Sequence, residues 1–312
     1  MIEVTNLRKV FYNKVKKDGK KAKQEIVSVN SLNFTINKGE IIGFVGPNGA
    51  GKSTTIKMIT GILHPTSGNI SVNGLNPTKD RKKLAYRIGC MFGQKSQLYL
   101  HLPSIDTYRL LGTIYDIEKN KLDTKINELT TLFNIKDIIN IPVRKLSLGQ
   151  RMICEIVAIM LHEPEIIFLD EPTIGLDIVV KQRLRDAIIK LNKEKNVTVF
   201  LTSHDMGDVE SICERIIIID KGNIIKDENI DTLKKEYFSN KILNITYEND
   251  VTNIDFEMPV SVNGNNIIAS IGDSDNISET LSKFLRYGKI IDFSMESTPL
   301  EDIIYDIYAN GE

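Results

Sequence analysis

The sequence contains no tryptophan, and aromatic residues make up only 7% of its 312 residues. This scarcity argues against a nucleic-acid-binding platform on which bases stack against aromatic side chains. The formal net charge is −1, so no overall charge draws the chain to nucleic acid or to anionic lipid. The three cysteines lie far apart without metal-type spacing, which predicts reduced thiols in a cytosolic protein.

Long hydrophobic runs are also missing. No stretch approaches the roughly 20 apolar residues that a membrane-spanning helix needs. The most apolar candidate, residues 153–169, is interrupted by glutamates, a histidine and a proline. The opening residues lack the basic start and apolar run of a signal peptide, so we expect none. If this protein serves a membrane, we expect it to act from the aqueous side.

Short apolar runs bounded by turn residues predict the fold. Residues 41–45, 166–169, 197–201 and 216–219 are typical of strands buried on both faces, and helical spacing separates them. The sequence therefore predicts an α/β protein with a parallel sheet. We also expect strands over 2–12 and 26–36, a largely helical stretch over about 96–160, and a small α+β appendage after residue 230.

A lysine-rich stretch over 14–23 follows the first expected strand. It has two interpretations, which are a solvated loop and a segment attracted to anionic lipid beneath a membrane protein.

One motif has the spacing of a phosphate-binding loop. Its members are Gly46, Pro47, Asn48, Gly49, Ala50, Gly51, Lys52 and Ser53, with Thr54 next in the chain. Glycines let backbone N–H groups turn towards phosphate oxygens, and the helix that starts near Lys52 adds its positive dipole end. Lys52 then reaches the β and γ phosphates, and the Ser53 hydroxyl joins a Mg²⁺ shell. The alternative is a glycine-rich turn that only links strand to helix.

Two acids end the apolar run at 166–169. Asp170 and Glu171 are expected at the carboxyl end of a buried strand, where open α/β sheets bind ligands. Asp170 is predicted to hold Mg²⁺ and Glu171 to orient or deprotonate an attacking water. The alternative is a solvated turn before Pro172.

Residues 146–150 read Leu-Ser-Leu-Gly-Gln before an apolar-patterned helix. The pair Ser147 and Gln150 forms a capping-box pattern, and local helix capping alone explains it. A capped helix start with a serine hydroxyl and the Gly149 backbone is also a second phosphate-binding device. Because the loop at 46–53 already serves one nucleotide, the second device makes most sense for the nucleotide of a partner subunit.

With these three motifs in this order, the sequence resembles the ATP-binding cassette (ABC) family over about residues 1–230. Gln94 resembles the Q-loop glutamine, residues 175–177 resemble the D-loop, and His204 resembles the switch histidine. Leu148 departs from the commonest family signature, which has glycine there. The finer pattern at 92–98 and 142–151 is similar to the sodium- and drug-exporter (NatA-like) branch.

The resemblance implies a P-loop NTPase (ABC ATPase) core over 1–230, with an N-terminal antiparallel β subdomain and a helical subdomain over about 96–160. Residues 231–312 would form an accessory or regulatory domain. Two copies would face head to tail, with each ATP between Lys52 and Ser53 of one chain and Ser147 and Gly149 of the other.

The resemblance also assigns roles within the site. Gln94 would sense the γ-phosphate and Mg²⁺, and His204 would hold the γ-phosphate and help Glu171 to position water. An aromatic side chain near Phe11 or Tyr12 would stack on adenine, with Phe11 favoured.

The implied function is that of an ATP-hydrolysing subunit of an exporter. Its partners would be separate membrane permease subunits, which it would contact at the cytoplasmic face of the cell membrane. One alternative is a soluble ABC ATPase acting on ribosomes or nucleic acid, but that class usually carries tandem cassettes or a long coiled coil. A P-loop kinase or GTPase is disfavoured by residues 146–150 together with His204.

Overall fold

The computed structural model describes residues 1–17, 20–92, 96–237, 240–272, 277–296 and 299–310. The chain divides into two compact units, Met1–Glu228 and Asn229–Glu312. The strands up to this boundary are β1 (Ile2–Lys17), β2 (Lys20–Ile36), β3 (Ile41–Val45), β4 (Ser67–Val72), β5 (Ile88–Phe92), β6 (Ile166–Asp170), β7 (Thr198–Ser203), β8 (Arg215–Asp220) and β9 (Asn223–Asn229). The helices of the first unit are α1 (Lys52–Ile59), α2 (Arg81–Ala85), α3 (Ser104–Ile114), α4 (Lys119–Leu132), α5 (Leu148–Met160), α6 (Ile178–Lys195) and α7 (Met206–Ile212), with a 3₁₀ turn at Val143–Lys145.

The central sheet contains six strands in the order β5-β6-β7-β3-β8-β9. The pairs from β5 through β8 are parallel, which confirms the predicted α/β architecture. Phe44, Phe168 and Phe200 lie on the adjacent strands β3, β6 and β7, and the Phe200 ring centroid is 5.2 Å from that of Phe44 and 5.6 Å from that of Phe168. Successive residues of these strands, which point to opposite faces, are buried, so the sheet is covered on both faces as the apolar runs predicted.

A second sheet has the order β2-β1-β4 and is antiparallel throughout. Strands β1 and β2 continue into the lysine-rich stretch, where Lys14 pairs with Lys23 and Lys16 with Lys21 in register. Of the two interpretations of this stretch, the solvated loop is therefore wrong for the described residues, which continue the hairpin. A run of lysines is typical of solvated segments, but here the backbone ladder extends from the apolar part of the hairpin.

Three helices fill the stretch expected to be helical. Helices α3 and α5 are joined by a hydrogen bond from the buried Tyr108 hydroxyl to the Cys154 carbonyl, at 3.0 Å. Within the described ranges, every helix is too short or too polar to cross a membrane.

The second unit is α+β. Its elements are α8 (Ile230–Tyr237), β10 (Asn240–Tyr247), β11 (Val260–Asn263), β12 (Asn266–Gly272), α9 (Ile277–Phe284), β13 (Ile290–Glu296) and α10 (Leu300–Asn310). The strands form an antiparallel sheet in the order β11-β12-β10-β13. Its core includes Leu243, Ile245 and Ile267 on the strands and Phe284 on α9.

Candidate functional site

The loop between β3 and α1 has a backbone that depends on glycine. Gly49 and Gly51 have φ angles of 87° and 109°, which side-chain-bearing residues rarely adopt. A Cβ added at Gly46 would lie 2.4 Å from the Ile219 carbonyl oxygen, and one added at Gly51 would lie 2.5 Å from the Ser28 carbonyl oxygen. These close approaches shape the cradle that a phosphate needs.

The rest of the motif divides between the mouth and the base of this loop. Pro47, Asn48 and Ser53 are exposed, whereas Ala50 is buried and its carbonyl accepts from Gly222 N at 3.1 Å. Thr54 accepts a hydrogen bond from the Ser28 hydroxyl at 2.9 Å. Hydrogen bonds with Gly222 and Ser28 therefore hold the base of the loop, and its exposed side is open to a ligand.

Lys52 is only 6% exposed, and its amine donates to the carbonyl oxygens of Gly46 and Pro47. Burial lowers the pKa of Lys52, and the neighbouring carboxylates Glu171 and Asp170 oppose that shift. The amine is thus directed into its own loop, beside the acidic end of β6.

Asp170 ends β6 opposite Thr202 of β7. Its Oδ1 accepts from Thr202 Oγ1 at 2.6 Å and from Ser53 Oγ at 3.5 Å. Glu171 follows with a positive φ of 54°, and its backbone N–H donates to Thr202 Oγ1 at 3.1 Å. Thr202 therefore orients both acids. Sequence reasoning did not single it out, because only the strand order places it there.

His204 lies just after β7, and its Nδ1 is 3.5 Å from Glu171 Oε1. The carboxyl ends of β3, β6 and β7 thus bring together Lys52, Ser53, Asp170, Glu171 and His204. This is the edge of an open α/β sheet at which ligands bind.

Ion pairs between α6 and α7 hold the segment that carries His204. Lys181 pairs with Asp205, and Arg185 Nε donates to the fully buried Asp208 at 2.8 Å. Sequence reasoning missed these residues, since the two sides of each pair are 23 or 24 positions apart.

Phe11 and Tyr12 are 39% and 58% exposed on β1. The Lys9 amine lies 5.2 Å from the centre of the Phe11 ring, and Lys9 pairs in register with Val29 of β2. Val29 in turn lies 3.3 Å from a Cβ built on Gly51. The pairing of β1 with β2 shifts register between Lys9 and Val10, so the contact between the Lys9 amine and the Phe11 ring is what places these two side chains together. Tyr12 follows Phe11 in regular register and therefore points to the opposite face of β1.

Residues 147–150 form the expected capping box at the start of α5. Gln150 N donates to Ser147 Oγ at 3.2 Å, and Ser147 N donates to Gln150 Oε1 at 3.0 Å. Gly149 is buried, and a Cβ there would lie 2.3 Å from Val180 Cγ1 of α6. Among the described residues, no hydrogen bond joins 147–150 to the loop at 46–53 of the same chain.

The remaining motif residues are Gly175, Asp177 and Gln94. Gly175 has a φ of 73°, and Asp177 caps α6 by accepting from Val180 N at 2.9 Å. Gln94 lies outside the described residues. The fold and the converging groups together define a P-loop nucleotide-binding domain.

Comparisons with known proteins give the family. Residues 29–174 match the family model described as ABC transporter. The chain is 32% identical over 233 residues to the ABC transporter ATP-binding protein NatA of Bacillus subtilis (strain 168), covering 75% of this chain and 91% of the relative. It is 36% identical over 208 residues to the bacitracin transport ATP-binding protein BcrA of Bacillus licheniformis, covering 67% of each.

A solved structure is also similar to this chain. It is a dimeric post-hydrolysis state of the ATP-binding cassette MJ0796 bound to ADP and Pi, with a TM-score of 0.63 and 25% identity over 74% of this chain and 99% of that one. The chain belongs to the ABC transporter family, as an ATP-binding subunit of the kind that dimerises and works with membrane permease subunits. Members of this family bind and hydrolyse ATP.

Proposed function

We propose that two copies of this chain enclose two Mg²⁺-ATP molecules and that hydrolysis drives a separate membrane permease in the direction of export. The observation that carries the proposal is the convergence of Lys52, Ser53, Asp170, Glu171 and His204 at one sheet edge. The chain would act peripherally, at the cytoplasmic face of the cell membrane.

Binding would use the loop at 46–53. The backbone N–H groups and the α1 start would cradle the phosphates, and the Lys52 amine would turn from its own carbonyls to the β and γ phosphates. Phe11 would stack on adenine, since its ring is partly exposed on β1 beside the Lys9 amine.

The donor set fits Mg²⁺. The Ser53 hydroxyl oxygen and Asp170 Oδ1 lie 3.5 Å apart, and hydroxyl and carboxylate oxygens are the protein ligands that this ion prefers. The ion supplies neutralisation of the phosphate charge. Gln94 is proposed as a further ligand and as the sensor of the γ-phosphate.

Hydrolysis would use the pair of Glu171 and His204. Glu171 is fixed at its backbone by Thr202, so its carboxylate is placed to orient or deprotonate the attacking water. His204, at 3.5 Å from that carboxylate, would hold the γ-phosphate and keep the water in line. Most of the rate enhancement would come from charge stabilisation by fixed donors.

A second copy would complete the site. Ser147, Gly149 and Gln150 make no hydrogen bond with the loop at 46–53 of their own chain among the described residues, so they are free to contact the nucleotide of a partner. Exposed apolar side chains lie around this motif, and burying them would stabilise the dimer. They are Leu148, Ile174, Ile178 and Val179.

The permease would dock on the helical part of the first unit. A cavity of about 450 Å³ lies beside the segment that follows Gln94 and is lined mainly by apolar groups, including Leu111, Tyr115 and Ile159. Exposed apolar residues nearby in sequence extend this surface, namely Tyr99, Leu100, Leu102, Leu110 and Ile114. The export direction is supported by the motif variants at 92–98 and 142–151.

The decisive experiment uses Glu171→Gln. This variant should bind ATP with normal affinity, hydrolyse it at least about a hundredfold more slowly and accumulate as a dimer with Mg²⁺-ATP, because the nucleotide that links the copies persists. The matched control is Glu118→Gln on the exposed start of α4, which should keep wild-type turnover. Wild-type turnover by a monomeric Glu171→Gln protein would contradict the proposal.

The contribution of the partner is tested separately with Ser147→Arg. In the Glu171→Gln background, it should abolish ATP-dependent dimerisation measured by light scattering while nucleotide binding persists. Ser282→Arg on exposed α9 adds the same side chain elsewhere and should leave the dimer intact. An equal dimer yield for both variants would count against a contact in trans.

A further inference from the structure

Helix α5 carries a buried glutamate that neither phosphate motif uses. Glu155 is 3% exposed, so its carboxylate is removed from water in the middle of the helix. Burial raises the pKa of Glu155, and the hydrogen bonds that it accepts oppose the shift. A buried carboxylate is costly unless its oxygens are paired, so its partners indicate why it is there.

Within the described part of the chain, the hydrogen-bond partners of the Glu155 carboxylate all belong to one short segment, residues 96–98. Gln97 N donates to the two carboxylate oxygens at 3.0 Å and 3.1 Å, and Leu98 N donates to Oε1 at 3.5 Å. The Ser96 hydroxyl donates to the same oxygen. Glu155 thus binds residues 96–98, which follow Gln94 closely in the chain, mostly through their backbone N–H groups.

Residues 96–98 are also hydrogen-bonded to the central sheet. The Gln97 side chain donates to the Cys90 carbonyl of β5. Residues 96–98 therefore lie between the sheet that holds the nucleotide loop and the helix α5, and Glu155 supplies the contact on the helix side.

The same helix begins at Ser147. Glu155 lies eight positions after Ser147, so the two are about 12 Å apart along the helix axis. A displacement of the segment after Gln94 would therefore move the start of α5, and with it the residues proposed to contact the partner's ATP.

Simple packing does not explain the choice of residue. The helix is already anchored by buried apolar side chains and by the Tyr108 hydroxyl on the Cys154 carbonyl. An apolar residue at 155 would fill the same space without the desolvation cost of a carboxylate. An apolar side chain cannot accept hydrogen bonds from the backbone N–H groups of Gln97 and Leu98.

We propose that Glu155 is a positioning residue that locks the segment after Gln94 to helix α5 and thereby sets the placement of Ser147 against the ATP of a partner copy. This inference rests on the proposed function. The Glu155 carboxylate would thus link residues 96–98, which are hydrogen-bonded to the sheet that holds the nucleotide loop of the same chain, to Ser147, which would contact the partner's ATP.

The test measures the dissociation constant of the Mg²⁺-ATP-dependent dimer in the Glu171→Gln background by analytical ultracentrifugation. Glu155→Gln keeps the shape of the side chain and removes its charge, so the hydrogen bonds to residues 96–98 weaken. We expect the dimer to weaken about tenfold or more, as befits loss of a charged acceptor. Binding of a fluorescent ATP analogue to the monomer should be unchanged.

Two further variants separate positioning from folding. Ser96→Ala removes one exposed donor from the segment and should weaken the dimer in the same direction by a smaller factor. Tyr108→Phe removes a buried hydrogen bond on the same helix, so it lowers the melting temperature without touching residues 96–98, and it should leave the dimer unchanged. Hydrogen exchange at residues 96–98 should rise in Glu155→Gln but not in Tyr108→Phe.

The outcomes distinguish this inference from the function on which it rests. If the Glu171→Gln parent forms no ATP-dependent dimer, the proposed function fails. If the parent dimerises and Glu155→Gln and Ser96→Ala both match it, the positioning role is refuted while the proposed function stands. Equal weakening by Tyr108→Phe would likewise reduce Glu155 to a packing residue.

Discussion

The contact between Gly149 and Val180 makes a sharp prediction. A Cβ at residue 149 would lie 2.3 Å from Val180 Cγ1 and 2.9 Å from Val180 Cγ2. Both distances are shorter than non-bonded carbon atoms tolerate, so the atoms would have to move apart. Gly149→Ala must therefore push the start of α5 away from α6. The φ angle of Gly149 is not positive, so the steric clash rather than the backbone conformation is the source of the effect.

The magnitude follows from overpacking. Forcing an extra methyl into a packed contact costs about 1–3 kcal/mol. For a unit of this size, the melting temperature should fall by about 2–4 °C per kcal/mol. Val180→Ala removes both clashing methyl groups, so Gly149→Ala should cost far less in that background. The double-mutant cycle by thermal unfolding should give a coupling energy of about 1–2 kcal/mol.

The same cycle decides why glycine is present. If Gly149 serves packing alone, the double variant should recover both stability and ATP-dependent dimerisation in the Glu171→Gln background. If the partner's phosphate approaches this backbone closely, stability should recover and the dimer should not, which is the result that we expect. Equal losses of melting temperature in both backgrounds would refute the steric reasoning itself.

Three shorter predictions concern other parts of the first unit. Phe11→Ala should weaken binding of a fluorescent ATP analogue about tenfold, because base stacking contributes about 1–3 kcal/mol, and Tyr12→Ala should change it little. Burial raises the pKa of Cys90 to about 12, so at pH 8 only about one in ten thousand of these thiols is ionised and its reaction with Ellman's reagent should accelerate more than about a hundredfold on unfolding in guanidinium. Arg185→Met removes the cation that pairs with the buried Asp208 and should lower the free energy of unfolding by about 3–5 kcal/mol in chemical denaturation; an unchanged value would refute the role of this pair.

The sequence predicted the phosphate-binding loop and the helix cap well, because each depends on interactions between residues close together in the chain. The loop at 46–53 could be placed between a strand and a helix from glycine spacing and apolar runs alone. The capping box of Ser147 and Gln150 needs only four consecutive residues, and the structure shows both of its hydrogen bonds. The parallel sheet followed from runs that are apolar on both faces.

The supporting contacts could not be predicted from the sequence, because they join residues distant in the chain. Thr202 orients Asp170 and Glu171 only because β7 is the neighbour of β6 in the sheet. In the sequence, Glu155 only interrupts an apolar run. Its hydrogen-bond partners lie 57 to 59 positions away in the chain, and only the fold brings them to its carboxylate.

The capping box and the proposed contact in trans are compatible, and one substitution separates them. Ser147 Oγ accepts from Gln150 N, which leaves the hydroxyl proton free to donate to a phosphate oxygen. Aspartate caps helices as well as serine does, and its charge suits the helix start, so Ser147→Asp should keep the wild-type melting temperature. A carboxylate has no proton to donate and repels the triphosphate, so ATP-dependent dimerisation in the Glu171→Gln background should be lost. Ser147→Thr retains cap and hydroxyl together and should retain the dimer. A stable Ser147→Asp protein that dimerises normally would show that capping is all this serine does.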